Sequence, residues 1–313
     1  MGKAIGAPIA GLLFSAMAYA TSLGAPFSSN YTLVDLGSVP GVLANYGGIA
    51  FLNDNTLLLG GSANTSTGAI YAVPVTRDSN GNITGFGAAT MYATAPYIDG
   101  GLAFGPGGDL FFTEFPNNAI GEIKPGDSSP DLTVALKGNV PTSVGALEFV
   151  PSGFSGAGNF VIGSYTQGIF CTAPLTADGA GTYNIGACSD TVSMTGGPEG
   201  LVYVPMGSAD FSGQNVLISE YRSGIVASFG IDGNGLPTGT GTTFISGLTG
   251  VEGAVLDPVT NDYLFSTFGS VNQIIEVQGF AAVTVPEPSS FLLAVAGMAA
   301  VCALRRPRKA GSA

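Results

Sequence analysis

The chain of 313 residues contains 10% charged residues, 49 glycines and no histidine, and its formal net charge is −12. Without histidine it cannot form a Ser-His-Asp triad, a His-activated cysteine nucleophile or a His-ligated zinc or haem site. Residues 21–284 hold 20 acidic side chains and only four basic ones, at Arg77, Lys124, Lys137 and Arg222. This balance argues against a nucleic-acid partner, because phosphate contacts rely on Lys and Arg.

Residues 1–20 have the features of a secretory signal peptide. Lys3 supplies a positive start, residues 5–19 are apolar, and Ala18-Tyr19-Ala20 is a small-x-small cleavage site. Segments of this form direct export and are then removed. We expect a signal helix that is cut after Ala20 and followed by a linker at 21–30. Retention as a membrane helix is the alternative.

Five copies of one pattern fill residues 31–280. Each copy starts with an apolar run, and these runs begin at Gly47, Gly100, Gly145, Glu199 and Glu252. The starts are separated by 53, 45, 54 and 53 residues, and second and third apolar runs follow each of them. Short apolar runs separated by turn residues at this spacing predict β-strands throughout.

Four copies contain a fourth run, whereas the fifth stops at Phe280 without one. The segment YTLVDL, residues 31–36, precedes the first copy just as a fourth run precedes each later copy. Units of four strands are typical of propeller blades, and an N-terminal strand that completes the last blade would leave no open edge. The sequence therefore predicts an all-β, five-bladed β-propeller; six blades with one degenerate copy is the alternative.

The repeats resemble those of the NHL and SMP-30-like propeller superfamily. The copy GLAFGPGGDLFF, residues 101–112, is the most similar to the repeat unit of that superfamily. The resemblance implies the propeller fold and, for the lactonases of the SMP-30 type, a metal held on one face of the ring. Their full set of metal ligands and catalytic acid does not align with this chain, and no catalytic residue is assigned.

Three loops between strands are rich in Asp, Asn and Gly, at residues 78–82, 178–181 and 232–235. Tight hairpins require these residue types, because they tolerate positive φ. None of the loops has the twelve-residue spacing and closing Glu of an EF-hand. We expect turns at these positions rather than calcium-binding loops.

Acidic residues are predicted to gather at one end of the central channel, because the start of the innermost strand and the end of the second strand lie on the same face of a propeller. The acids at or beside these positions are Asp99, Glu114, Glu199, Glu220 and Glu252. Clustered carboxylates suit Ca²⁺ or Mg²⁺. The alternatives are a solvated acidic rim and the metal site of a hydrolase.

Aromatic residues follow the second strands of four copies, at Phe115, Tyr165, Tyr221 and Phe268. We expect them to pack between blades, with a sugar-stacking surface as the alternative. Cys171 and Cys188 are 17 residues apart in a chain predicted to be exported, which favours a disulfide between them over two free thiols.

The C-terminal segment combines three parts after a linker that covers 281–290. Val285, Pro286, Glu287 and Pro288 form an extended strap, because proline prevents helix formation. An uncharged segment at 291–304 and a basic tail at 305–313 follow, and the basic residues are Arg305, Arg306, Arg308 and Lys309. This order predicts a transmembrane helix with a cytoplasmic basic end. The uncharged segment is short for a bilayer core of about 30 Å, which favours a tail that is removed.

These three parts closely resemble the PEP-CTERM sorting signal of Gram-negative bacteria that make exopolysaccharide. The resemblance implies recognition by an exosortase, removal of the tail and delivery to the cell surface or extracellular matrix; an ordinary tail anchor is the alternative. We expect an exported protein, anchored in the inner membrane as a precursor, whose propeller is a binding or structural module for exopolysaccharide or matrix proteins. The alternative function is a metal-dependent, lactonase-like propeller hydrolase.

Overall fold

The structure, a computed structural model, describes residues 20–136, 138 and 140–281. The predicted signal helix up to residue 19, the transmembrane helix at 291–304 and the sorting residues from 285 onward lie outside the described residues. No helix within the described ranges is long and apolar enough to cross a membrane. The described elements are β-strands and two 3₁₀-helices, Phe27–Ser29 and Pro106–Gly108.

The strands form five consecutive groups along the chain, one for each blade, after two N-terminal strands. The chain begins with β1 (Ser22–Leu23) and β2 (Thr32–Gly37). Blade 1 contains β3 (Ile49–Asn53), β4 (Thr56–Gly61), β5 (Ala69–Arg77), β6 (Ile83–Phe86) and β7 (Thr90–Thr94). Blade 2 contains β8 (Ile98–Phe104), β9 (Leu110–Glu114), β10 (Ala119–Ile123) and β11 (Leu132–Ala135). Blade 3 contains β12 (Val144–Phe149), β13 (Phe160–Ser164), β14 (Ile169–Ala173), β15 (Leu175–Ala177), β16 (Tyr183–Ile185) and β17 (Ser189–Ser193). Blade 4 contains β18 (Pro198–Tyr203), β19 (Asn215–Glu220), β20 (Ile225–Ile231) and β21 (Pro237–Ser246). Blade 5 contains β22 (Val251–Leu256), β23 (Tyr263–Thr267) and β24 (Ile274–Gln278).

The strand order confirms the five-bladed propeller. Each blade is an antiparallel sheet whose first three strands follow chain order from the innermost outward, and blade 5 is completed by β2 next to β24. In blade 1 both β6 and β7 pair with β5, and in blade 3 β17 pairs with β14 while β15 and β16 form a separate hairpin. Thr32 pairs with Gln278 and Val34 with Glu276, so the N-terminal strand closes the last blade. Five such sheets form among the described residues, and the six-bladed alternative is therefore wrong.

Residues 21–30 differ from the linker that the sequence predicts. Ser22 pairs with Ser246 on the outer strand of blade 4, and the Phe27 ring lies 4.9 Å from that of Phe244. Phe27 is only 3% exposed, so burial of its apolar ring holds this segment on the body. Because β1 joins blade 4 and β2 joins blade 5, the N-terminal segment ties two blades together.

The second strand of each blade is almost entirely buried, because neighbouring blades cover both of its faces. β9 (LFFTE), β13 (FVIGS) and β23 (YLFST) are buried at every residue. A short, continuous apolar run is typical of such a strand. Polar residues of these strands form hydrogen bonds inside the ring. The Thr113 hydroxyl accepts from Gly101 N–H at 2.9 Å and donates to Gly145 O at 3.0 Å.

The three Asp-Asn-Gly loops are hairpin turns, as the sequence predicts. Asp78, Asp178 and Asp232 each accept backbone N–H groups two and four residues ahead through Oδ1. Asx-turns of this kind explain why Asp begins every one of these loops. The structure also joins Cys171 and Cys188 by a disulfide, with Cα atoms 5.5 Å apart, and this bond closes the loop that contains β15 and β16.

Candidate functional site at the channel mouth

The innermost strands begin, and the second strands end, at one face of the ring. Ile98 at the start of β8 pairs with Glu114 at the end of β9, and Pro198 pairs with Glu220 in the same way in blade 4. In blade 5, Val251 pairs with Thr267. We call this end of the central channel the mouth.

Three carboxylates converge at the mouth. Asp99, Glu199 and Glu252 are each the second residue of an innermost strand, in blades 2, 4 and 5. One oxygen from each lies within 4.8 Å of those of the other two. The side chains are 3%, 4% and 2% exposed, so they are buried carboxylates and not a solvated acidic rim.

A glycine makes room for this cluster. The second residue of the innermost strand in blade 3 is Gly145, and a Cβ atom built there would collide with Glu199 Oε2 and lie 2.6 Å from Pro198 O. A larger residue would therefore displace the Glu199 carboxylate. Because blade 3 has Gly145 and no acid at this position, the Glu199 carboxylate of blade 4 can occupy the space beside it.

Several acceptors in the cavity are buried without a partner in the part of the chain that the structure describes. Glu199 Oε2 and Glu252 Oε2 are buried without a hydrogen-bond partner among the described residues, and so is Asn64 Oδ1. Buried acceptors are nearly always paired in proteins, so three unpaired ones at a single cavity indicate a ligand-binding site.

Burial and mutual repulsion make the anionic form of the cluster costly. Burial raises the pKa of Asp99 to about 7. Burial, followed by the charges of Asp99 and Glu252, raises the pKa of Glu199 well above its usual value, and burial with the charge of Asp99 does the same for the pKa of Glu252. A cation among the three carboxylates would offset both effects.

Four aromatic residues surround the carboxylates. A cavity of about 270 Å³ is lined by Asn64, Asp99, Phe115, Tyr165, Glu199, Tyr221, Glu252 and Phe268. We call its four rings the rim aromatics. Tyr221 contacts Tyr165 and Phe268 edge-on across the blades, at centroid distances of 6.0 and 6.3 Å. Tyr165, Tyr221 and Phe268 thus contact one another across blades, and all four rim aromatics form walls of the cavity.

Asn64 is the site residue that the repeat pattern does not reveal. Blade 1 has Ser62 where the other four blades have an aromatic residue after the second strand, and Asn64 follows two residues later. Its φ of 63° is in the left-handed region that Asn tolerates better than most residues. This turn directs a polar side chain into the cavity from the one blade that lacks a rim aromatic.

The two remaining acids predicted for this site lie outside the cavity. Glu114 accepts from Asn117 Nδ2 at 3.1 Å and from Thr133 Oγ1 at 3.2 Å, and Thr133 is on the outer strand of its own blade. Glu220 lines a separate groove between blades 3 and 4. Residues at the end of the second strand point along their own sheet, whereas those at the start of the innermost strand point into the channel.

The oxygen atoms at the mouth are of the type that Ca²⁺ and Mg²⁺ prefer. Three carboxylates and the Asn64 amide oxygen are hard donors, and the cavity walls contain no histidine or cysteine of the kind that zinc favours. The residues present therefore fit a divalent cation, which would be held by Asp99, Glu199 and Glu252 with Asn64 beside them.

Comparison with known proteins gives one clear result, at the C-terminus. Residues 284–309 match the family model of the PEP-CTERM protein-sorting motif. The chain carries a PEP-CTERM sorting motif. The match includes the predicted strap, the apolar segment and the four basic residues after it. This sorting motif implies a membrane-anchored precursor that an exosortase sorts to the cell surface.

The propeller itself has distant structural relatives. A putative 6-phosphogluconolactonase from Bacteroides uniformis matches 72% of this chain with 14% identity and a TM-score of 0.39, and the chain spans 65% of that protein, under two thirds of its length. A glucose dehydrogenase matches 78% of this chain and 98% of its own, with 10% identity and a TM-score of 0.46. The PQQ-bound aldose sugar dehydrogenase of Streptomyces coelicolor matches 79% and 98%, with 13% identity and a TM-score of 0.42. No curated protein matches the chain. All three TM-scores are below 0.5.

Proposed function

We propose that this protein is an exported precursor, sorted by an exosortase to the cell envelope or exopolysaccharide matrix, whose propeller binds a positively charged ligand at the mouth. The PEP-CTERM sorting motif supports the proposed export and sorting by an exosortase. The single observation that carries the binding function is the buried cluster of Asp99, Glu199 and Glu252, which has no basic residue among the cavity walls. The Arg222 guanidinium lies outside these walls, 4.4 Å from the centroid of the Tyr165 ring, and offsets only part of the rise in the pKa of Glu199.

Removal of the tail would leave the mouth intact. β24 runs from Ile274, beside Ser266 near the mouth, to Gln278, beside Thr32. Ala281, the last described residue of the body, therefore lies at the face opposite the mouth, where its carbonyl accepts from Asn261 Nδ2.

The second candidate from the sequence, a metal-dependent hydrolase, would use the same three carboxylates as metal ligands. No feature of the cavity favours hydrolysis over binding, so binding is the function that we propose.

The sorting half is tested by deleting residues 285–313. We expect the deletion to abolish processing by the exosortase and to change where the protein accumulates, because the strap, the apolar segment and the basic flank are all removed. The measurement is cell fractionation with immunoblotting in a host that encodes an exosortase. A Glu122→Gln variant with the tail intact is the control, and unchanged processing and location of the deletion variant would refute the sorting role.

The binding half is tested by isothermal titration calorimetry with CaCl₂, MgCl₂ and ethylamine hydrochloride at pH 8. We expect binding heat from at least one of these cations, and we expect the Glu199→Gln/Glu252→Gln variant to lose most of it because only the Asp99 carboxylate remains. Glutamine keeps the side-chain size, so the variant should stay folded. Negligible heat from all three cations with the wild-type protein would eliminate the cation site.

A further inference from the structure

The mouth cavity has two chemically different parts. Its inner end is formed by Asp99, Glu199, Glu252 and the Asn64 amide, while its walls are the four rim aromatics. A hydrated metal ion gains little from the aromatic ring faces, since the only oxygens of these four side chains are the Tyr165 and Tyr221 hydroxyls. A cation attached to a carbon skeleton would use both parts, because aromatic rings attract cations and bury apolar groups.

The buried acceptors indicate the kind of cation. Glu199 Oε2, Glu252 Oε2 and Asn64 Oδ1 are fully buried and lack a hydrogen-bond partner among the described residues. A primary ammonium group has three N–H donors and no acceptor. These buried acceptors come from three different blades, and each can accept one of the three donors.

The cavity volume limits how much of the ligand is enclosed. At about 270 Å³ it is slightly smaller than the range of about 300–1,000 Å³ that most small-molecule sites occupy. It can enclose an ammonium group with a short chain or one ring, while the remainder of a larger ligand stays outside. The acidic surface of the body adds long-range attraction for such a cation.

On these grounds, and resting on the cation-binding function proposed above, we infer that the mouth recognises a primary ammonium group borne on a carbon skeleton. The ammonium donates to Glu199, Glu252 and Asn64, and the adjoining carbons lie among the rim aromatics. Two sources outside the cell carry this group, the amino sugar of a de-acetylated polysaccharide and the lysine side chain of a protein.

The test compares matched ligands by calorimetry on the full chain at pH 8. The charged probes are glucosamine and Nα-acetyl-lysine amide, and their neutral counterparts are N-acetylglucosamine and the Nε-acetylated lysine derivative. Tetramethylammonium has the same charge but no N–H donor, and CaCl₂ represents a bare metal ion. We expect at least one primary amine to bind, the neutral counterparts not to bind, and tetramethylammonium to bind at least tenfold more weakly than that amine.

Variants separate the two parts of the cavity. Glu199→Gln/Glu252→Gln should weaken the amine by at least tenfold, and Tyr221→Leu should weaken it several-fold without affecting any Ca²⁺ binding. Glu276→Gln, a buried acid remote from the mouth, is the matched control and should bind like wild type. The tighter of the two amines identifies the source.

Three results would overturn the inference. They are Ca²⁺ binding with no binding of either amine, equal affinity for tetramethylammonium and the primary amines, or an amine affinity unchanged by Tyr221→Leu. Failure of every cation to bind would instead refute the underlying cation site, so the two failures are distinguishable.

Discussion

Replacing Arg77 by alanine is expected to destabilise the propeller by about 3–5 kcal/mol, the usual cost of leaving one partner of a buried ion pair alone. Arg77 at the end of β5 donates to Asp257 through Nη1 and Nη2, at 2.5 and 3.0 Å. Asp257 is fully buried and follows the innermost strand of blade 5, so this forked pair crosses the seam between the first and last blades. The guanidinium also donates to the carbonyls of Asp54 and Gly81.

Urea unfolding followed by circular dichroism measures this loss as a fall in the free energy of unfolding. Arg77→Lys should give an intermediate loss, because lysine keeps the charge but not the fork. Lys124→Ala is the matched control: its pair with Asp131 lies at the surface, and such pairs contribute little. If Arg77→Ala and Lys124→Ala lower the free energy of unfolding by similar amounts, the Arg77–Asp257 pair does not stabilise the seam between the first and last blades.

The second large effect concerns pH: the propeller is expected to become more stable as the pH falls from about 8 to about 5. Glu122 and Glu276 occupy equivalent positions on the third strands of blades 2 and 5, and both are 0% exposed. Each has one oxygen, Oε1, without a hydrogen-bond partner among the described residues. Burial raises the pKa of each carboxyl to about 7, from an ordinary value of 4.5.

The sign follows from proton binding. A carboxyl with a raised pKa in the folded state holds its proton more tightly there than in the unfolded chain, so its contribution is complete below about pH 4.5 and is lost as the pH rises through about 7. The rise in pKa from 4.5 to about 7 corresponds to about 3 kcal/mol at most from each carboxyl. The pKa values of Asp78, Asp131 and Asp178 are lowered by hydrogen bonds, and their opposing effect begins only below about pH 4.

Thermal unfolding between about pH 5 and about pH 8 checks this expectation. The melting temperature of the wild-type protein should be higher at the acidic end of this range, and Glu122→Gln/Glu276→Gln should show a weaker dependence, because glutamine does not titrate. The dependence should not vanish, since the mouth carboxyls titrate in the same direction. A wild-type melting temperature that falls on acidification, or a slope unchanged in the variant, would show that these carboxyls do not control the stability.

The fold could be predicted because its information is repeated. Each blade restates the same spacing of apolar runs, and the missing fourth run of the last copy is supplied by Thr32–Gly37. Each apolar run lies within a short stretch of sequence, so comparison of the five copies is enough to recognise the pattern. The segment 21–30 could not be assigned in this way, because Phe27 has no counterpart in the repeats and its position depends on contacts with Phe244 and Phe211, which are distant in sequence.

The site was only partly predictable, for a geometric reason. The repeats predict five acids near the mouth, but they do not show where the side chains point, and only Asp99, Glu199 and Glu252 line the cavity. Glu199 and Glu252 reach the channel, whereas Glu114 turns toward Thr133 on its own sheet. Asn64 could not be found from the repeats because it belongs to a turn in the one blade whose sequence departs from the others at this point.

A crystal structure of the protein soaked with Nα-acetyl-lysine amide and, separately, with CaCl₂ tests the cation site most directly. We predict density for a bound cation between Asp99, Glu199 and Glu252, within hydrogen-bonding or coordination distance of Glu199 Oε2 and Glu252 Oε2. Three carboxylates that point apart, or an intact cluster that holds only water in both soaks, would contradict it.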